Sequence, residues 1–92
     1  MSSLVVRVRI LPESIEEDLE KLVVRIGEEL KAVGTIINYK IEPIAFGLSA
    51  IIADFKIEER KGGTEPLEDK LKRVKGVSEI DVIAVSRAQV EL

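Results

Sequence analysis

The chain has 92 residues, of which 46% are hydrophobic and 34% charged, and its formal net charge is −3. A chain of this length buries only about 60 to 65% of its unfolded surface, so we expect one domain over residues 1–92 without a separate catalytic lobe. The absence of Cys and His excludes disulfides, thiolate metal sites and the commonest general base.

No apolar run has the length of a membrane span. The first residues lead directly into the alternating segment 4–11, which leaves no room for the charged region and hydrophobic core of a signal peptide. We therefore expect a soluble, cytoplasmic protein that does not contact a membrane. The net negative charge also argues against direct binding of nucleic acid through its phosphates.

A strand is predicted over residues 4–11. Apolar side chains alternate there with Arg7 and Arg9, which is the period of a strand buried on one face. Pro12 ends this pattern, because proline cannot donate to a sheet ladder.

A helix is predicted after this strand. Ser14 and Glu17 have the spacing of a capping box, in which each side chain binds an unpaired backbone amide of the first turn. The helix should extend to about Ala32, and Gly34 should end it. Its apolar stripe has the helical spacing of three and four residues and consists of Ile15, Leu19, Leu22, Val23, Ile26 and Leu30.

Two further strands are predicted on either side of a tight turn. Residues 35–45 are rich in β-branched side chains, residues 48–57 are almost continuously apolar, and Phe46 and Gly47 lie between them. If Asp54 points to the open face of the sheet, the same parity places an apolar patch beside Phe46. We expect this patch, a candidate contact surface, to consist of Leu48, Ala50 and Ile52.

The second half of the chain repeats the order of helix and strand. Thr64 is expected to cap a helix with Pro66 in its first turn, and Gly76 should end it. A last strand is predicted over residues 77–85. The complete order indicates an α+β fold, a ferredoxin-like βαββαβ sandwich with a four-stranded antiparallel sheet and two helices on one face.

Most charged clusters have a structural explanation. The acidic residues of the first helix and the basic residues at the end of the second complement the helix dipoles. The Gly62-Gly63-Thr64 sequence lacks the other residues of a phosphate-binding loop. We therefore expect no metal site and no cofactor.

Phe46 and Arg87 are the two candidate contact residues. The residues alone favour a Phe46 ring that plugs the end of the core, although a Phe beside Pro43 and Gly47 could also be displayed to a partner. They likewise favour a solvated Arg87 near the end of the last strand, although a long cation there could reach another protein.

Three motifs in this order resemble the translation elongation factor 1-beta family, in its short archaeal form. They are Glu42-Pro43-Ile44-Ala45-Phe46-Gly47-Leu48, Gly62-Gly63-Thr64-Glu65-Pro66-Leu67-Glu68, and Asp81-Val82 with Val85-Ser86-Arg87.

The resemblance implies the ferredoxin-like fold and guanine-nucleotide exchange on the GTPase elongation factor 1-alpha, without covalent chemistry. It implies that the hairpin and Arg87 contact the GTPase. Arg87 stands at the position of a family lysine, which disturbs the magnesium and phosphate region of the GTPase. We expect a monomer, because no second large apolar surface is evident. The expected partner-binding residues of the hairpin are Pro43, Ala45, Phe46, Gly47 and Leu48.

Two alternatives on the same fold stay open. One is an RNA-binding module of the RRM type, since Arg7 and Arg9 decorate the open face, but such modules need several exposed aromatic side chains. The other is a small-ligand regulatory domain that dimerises through its sheet edges.

Overall fold

The computed structural model describes residues 3–60 and 62–87. In this part of the chain six elements follow one another: β1 Ser3–Pro12, α1 Leu19–Glu29, β2 Thr35–Ala45, β3 Leu48–Glu58, α2 Glu65–Lys72 and β4 Val77–Arg87. The strands form one antiparallel sheet in the order β2-β3-β1-β4. This is the βαββαβ ferredoxin-like α+β fold that the sequence predicts.

The core lies between the two helices and one face of the sheet. The central strands β1 and β3 supply alternate residues to it, as the period of two requires. Each helix adds one apolar stripe from the other side. The largest fully buried side chains are Phe55, Ile10, Leu22, Ile26, Leu30, Ile51, Leu67, Leu71, Val6 and Val8.

The N-terminal cap of α1 is Asp18 and not the predicted Ser14. The Asp18 carboxylate accepts a hydrogen bond from the backbone N–H of Lys21 at 3.2 Å. The Ser14 hydroxyl accepts from the N–H of Glu16 at 3.2 Å, in a turn that precedes the helix. The predicted start of the helix is therefore wrong by four residues.

A contact between distant segments holds the connection that precedes α1. The backbone N–H of Glu13 donates to the carbonyl of Gly76 at 3.0 Å, which holds this connection against the end of the second half. Ile15 lies outside the helix and is exposed, contrary to its predicted place in the apolar stripe. The helix also ends earlier than predicted, at Glu29, and Leu30 is its C-cap.

The α2 helix begins as predicted after Thr64. The Thr64 hydroxyl donates to the Glu68 carboxylate at 2.5 Å and makes no hydrogen bond to a backbone amide. Pro66 lies in the first turn, where no intrahelical donor is needed.

The open face of the sheet carries a bidentate ion pair. The Arg7 guanidinium donates to the two Asp54 carboxylate oxygens at 2.8 and 3.1 Å. Asp54 is buried although it lies on the uncovered face. The hydrogen bond from Arg7 lowers the pKa of Asp54, against a smaller opposing effect of desolvation.

The predicted apolar patch beside Phe46 is largely buried. Ala50 and Ile52 do point to the open face, but both are buried, and Leu48 is half-buried. The cross-strand neighbours of Ile52 are Arg9 and Lys40, whose aliphatic stems are long enough to cover it. The predicted orientation is therefore confirmed, but the predicted exposure of Ala50 and Ile52 is wrong, because it ignored the side chains of the adjacent strands.

Gly76→Ala should lower the free energy of unfolding by about 2 kcal/mol or more, measured by urea denaturation. Gly76 has a φ of 100°, and an added Cβ would lie 2.9 Å from Arg25 Nη1 and 3.1 Å from Leu22 Cδ1. Gly62→Ala is the control, since Gly62 has a similar φ of 97° but an added Cβ meets only Pro66 Cδ, at 3.9 Å. An equal loss in both variants would contradict the role of crowding at Gly76.

Asp54→Asn should lower the free energy of unfolding by about 1 kcal/mol at about pH 7, because Arg7 loses a charged acceptor but is half-exposed. A lowered native pKa means that the stabilisation is present above the unfolded carboxyl pKa of about 3.9 and is lost as the pH falls below it. The wild type should therefore lose more stability than the variant on acidification, measured by urea denaturation at several pH values.

The control for this comparison is Asp81→Asn. Asp81 pairs with Arg9 at 3.4 Å on the same face, but it is mostly exposed. This variant should lose as much stability on acidification as the wild type does. If its free energy of unfolding instead depends as weakly on pH as that of Asp54→Asn, the Arg7–Asp54 pair is not the source of the acid sensitivity.

Candidate functional site

The tip of the β2–β3 hairpin displays Phe46. Ala45 pairs with Leu48, so the connection consists of Phe46 and Gly47 alone. Their φ values are 53° and 81°, and two positive φ values are what a type I′ hairpin turn requires. Phe46 is 100% exposed, so the interpretation that its ring plugs the core is wrong.

This conformation is unfavourable for a phenylalanine. A non-glycine residue in the left-handed region costs about 1–2 kcal/mol, and Asn or Gly usually occupies the first position of such a turn. A fully exposed ring regains none of this cost by burial. The turn thus holds a large apolar side chain in water at a local loss of stability, which is typical of functional sites.

The predicted neighbours of Phe46 flank the tip on the two strands. Pro43 is exposed opposite Ser49, and β2 is an edge strand, which is where a proline is tolerated. Ile44 forms a bulge between two paired residues and is also exposed, although it was not among the predicted contact residues. The turn sequence could have indicated its exposure, since a bulge follows naturally from a proline in a ladder.

Arg87 lies on β4, where it pairs with Leu4. Its guanidinium donates to the two carboxylate oxygens of Glu59 at 2.8 and 3.2 Å. Glu59 follows β3 directly, and the sequence pattern did not single it out. Both side chains are substantially exposed, so this pair can break at a cost of about 1 kcal/mol or less.

The structure does not bring Phe46 and Arg87 together. The turn lies beyond the Leu48 end of β3, whereas Arg87 lies level with Ile57 near its other end. About nine residues at 3.3 Å each separate these ends by roughly 30 Å. Phe46 also follows one edge strand, β2, whereas Arg87 lies on the other, β4, so one partner must span the sheet diagonally to reach both.

The open face does not have the features of an RNA-binding sheet. Phe55 is fully buried in the core, and Tyr39 points to the helix side, where its hydroxyl donates to Glu20 at 2.6 Å. This hydrogen bond raises the pKa of Tyr39. Aromatic stacking platforms on the uncovered face are thus absent from residues 3–60 and 62–87.

The described ranges contain no candidate metal site and no candidate membrane-spanning helix. Among these residues there is no group of three or more His, Cys, Asp or Glu side chains that could hold a metal ion. None of the helices described here is both long and apolar enough to cross a membrane.

Comparison with known proteins identifies the family. The family model described as the EF-1 guanine nucleotide exchange domain matches residues 5–88. A relative from Staphylothermus marinus, "Elongation factor 1-beta", is 47% identical over 88 residues, which cover 95% of this chain and 98% of the relative. A protein of the same name from Methanocella arvoryzae is 35% identical, with 96% of this chain and 99% of the relative covered. The chain therefore belongs to the elongation factor 1-beta family.

Proposed function

We propose that residues 1–92 act as one guanine-nucleotide exchange domain for elongation factor 1-alpha, promoting GDP release and GTP loading during polypeptide elongation. The family membership and the names of the relatives support this role. An exchange factor carries out no covalent chemistry and needs no cofactor of its own. Because elongation takes place in the cytoplasm, the same proposal places the chain there.

The observation that carries the proposal is the conformation of Phe46. The ring is fully exposed and held at a positive φ by a two-residue turn between two long strands. A short turn has little freedom, so the ring can be pushed into an apolar pocket of the GTPase without ordering a loop first. Pro43, Ala45, Gly47 and Leu48 form the rim that surrounds this contact.

The exchange reaction needs contacts that form only when the GTPase is distorted. Each tenfold acceleration of GDP release requires about 1.4 kcal/mol of barrier lowering. A buried aromatic ring contributes about this much or more. By thermodynamic linkage, bound nucleotide must weaken the binding of the exchange factor by the same factor.

Arg87 supplies the second contact in this mechanism. Its guanidinium would leave Glu59 and approach the magnesium and phosphate region of the GTPase, where a cation competes with the metal for phosphate oxygens. The release from Glu59 costs little, since the pair is exposed. A guanidinium also suits bidentate binding to phosphate oxygens.

The direct test is release of fluorescent GDP from purified archaeal elongation factor 1-alpha, in excess unlabelled nucleotide, with and without this chain. Acceleration that saturates with the chain's concentration is expected. No acceleration at any concentration would refute the proposed function, and filter binding at physiological salt would then test the RNA-binding alternative.

Phe46→Asn should change stability and exchange in opposite directions. Asn adopts the left-handed conformation more readily, so the free energy of unfolding should rise by about 1 kcal/mol. Loss of the ring should slow GDP release by about tenfold or more, since burial of an aromatic ring is worth roughly 1.5–3 kcal/mol. Urea denaturation and the fluorescent assay measure the two effects.

Phe46→Ala is the control for this substitution. It removes the ring but leaves a non-glycine residue without the tolerance of Asn for this backbone conformation. We expect the same loss of exchange with no gain in stability. Full activity of either variant would contradict the role of the ring.

Arg87→Ala should slow GDP release by about tenfold, while the free energy of unfolding changes by less than about 1 kcal/mol. Glu59→Gln breaks the same ion pair but keeps the cation, so it separates the two effects. This control should leave the maximal rate of release within about twofold of the wild type. Equal losses in both variants would show that the ion pair matters and that the cation has no direct role.

A further inference from the structure

An open groove lies between α1 and the edge strand β2. Its volume is about 510 Å³, and its lining consists of Val23, Gly27, Ile36, Ile37, Asn38 and Tyr39. None of these side chains is charged at neutral pH. The groove therefore suits an apolar protein segment better than a nucleic acid or a charged ligand.

Gly27 keeps this groove open. It lies within α1 and does not end it, since the helix continues to Glu29 and Leu30 is the cap. Glycine is a poor helix former, and here close packing does not require it: an added Cβ would meet only Ile36 Cδ1, at 3.9 Å. The helix thus carries an unfavourable residue where a larger side chain would fill the groove.

Exposed apolar side chains connect the groove to the hairpin tip. Four of them lie on β2, and the fifth lies in the turn that follows this strand. Such a continuous series is unusual for a monomer surface and typical of an interface. Its members are Ile37, Tyr39, Ile41, Ile44 and Phe46.

The backbone of β2 restricts how a partner can dock there. The strand has bulges at Ile37 and Ile44, and Pro43 lacks an N–H donor. These interruptions prevent a long partner strand from extending the sheet. A partner must therefore bind through side chains inserted beside the strand, and the groove provides the space for them.

We propose that the α1–β2 groove receives an apolar segment of elongation factor 1-alpha, which docks along the β2 edge from the groove to Phe46. This inference rests on the proposed exchange function and assigns the docking surface to the helix side of β2. The groove contacts are made before and during nucleotide release, so they govern binding more than the maximal rate.

The test fills the groove by Gly27→Leu and measures GDP release as a function of the chain's concentration. We expect the half-saturating concentration to rise about tenfold, with the maximal rate within about twofold of the wild type. The melting temperature should not fall, because leucine is the better helix former. The matched control is Glu28→Leu, which adds the same side chain at an exposed position outside the groove lining and should leave the half-saturating concentration unchanged.

A second pair of variants tests the apolar series without filling the groove. Ile37 and Ile83 are both bulge residues of edge strands, and they are 52% and 51% exposed. Ile37→Thr should raise the half-saturating concentration about fivefold, whereas Ile83→Thr on the opposite edge should leave it unchanged. Threonine keeps the β-branched shape, so strand propensity is preserved.

The outcomes separate this inference from the proposed function. If the wild type does not accelerate release, the exchange function itself fails. If the wild type is active but Gly27→Leu and Ile37→Thr match their controls, the docking surface is wrong and the function stands. A wild-type dimer in sedimentation that Gly27→Leu abolishes would also overturn the inference, because the groove would then hold a second copy of the chain.

Discussion

The register between the two central strands is the constraint on which the rest of the molecule depends. Val8 lies opposite Ala53 on the helix side, and Arg7 lies opposite Asp54 on the open side. A slip by one residue would exchange the two faces and turn the Arg7 guanidinium toward the helices. Apolar burial on one face and an ion pair on the other therefore specify the same register, and this register determines where the ends of both edge strands lie.

The sequence predicts the strands better than the start of the first helix, for a physical reason. Strand alternation is local and continues over the whole length of each strand. By contrast, the candidate caps Ser14 and Asp18 lie close together in the sequence, and the connection that contains them is held by the bond between Glu13 and Gly76. Because that bond joins residues far apart in the chain, no local pattern contains it. The coverage of Ile52 by Arg9 and Lys40 depends on neighbouring strands in the same way.

The candidate site shows a similar division. The hairpin and the position of Phe46 follow from the sequence, but the residues alone favour a buried ring, because aromatic side chains usually contribute to cores. The turn itself contains the contrary signal, since a phenylalanine stands where the backbone prefers asparagine or glycine. The ion pair of Arg87 with Glu59 joins two segments that only the folded sheet brings together.

The irregular backbone of β2 has a consequence for the behaviour of the protein at high concentration. An edge strand of 11 residues with several exposed isoleucines would ordinarily be a template for aggregation between copies. The bulges and Pro43 interrupt the row of hydrogen-bonding groups and so disfavour pairing along the whole strand. The strand can thus keep exposed apolar side chains for recognition, while its interrupted backbone disfavours the formation of fibrils between copies.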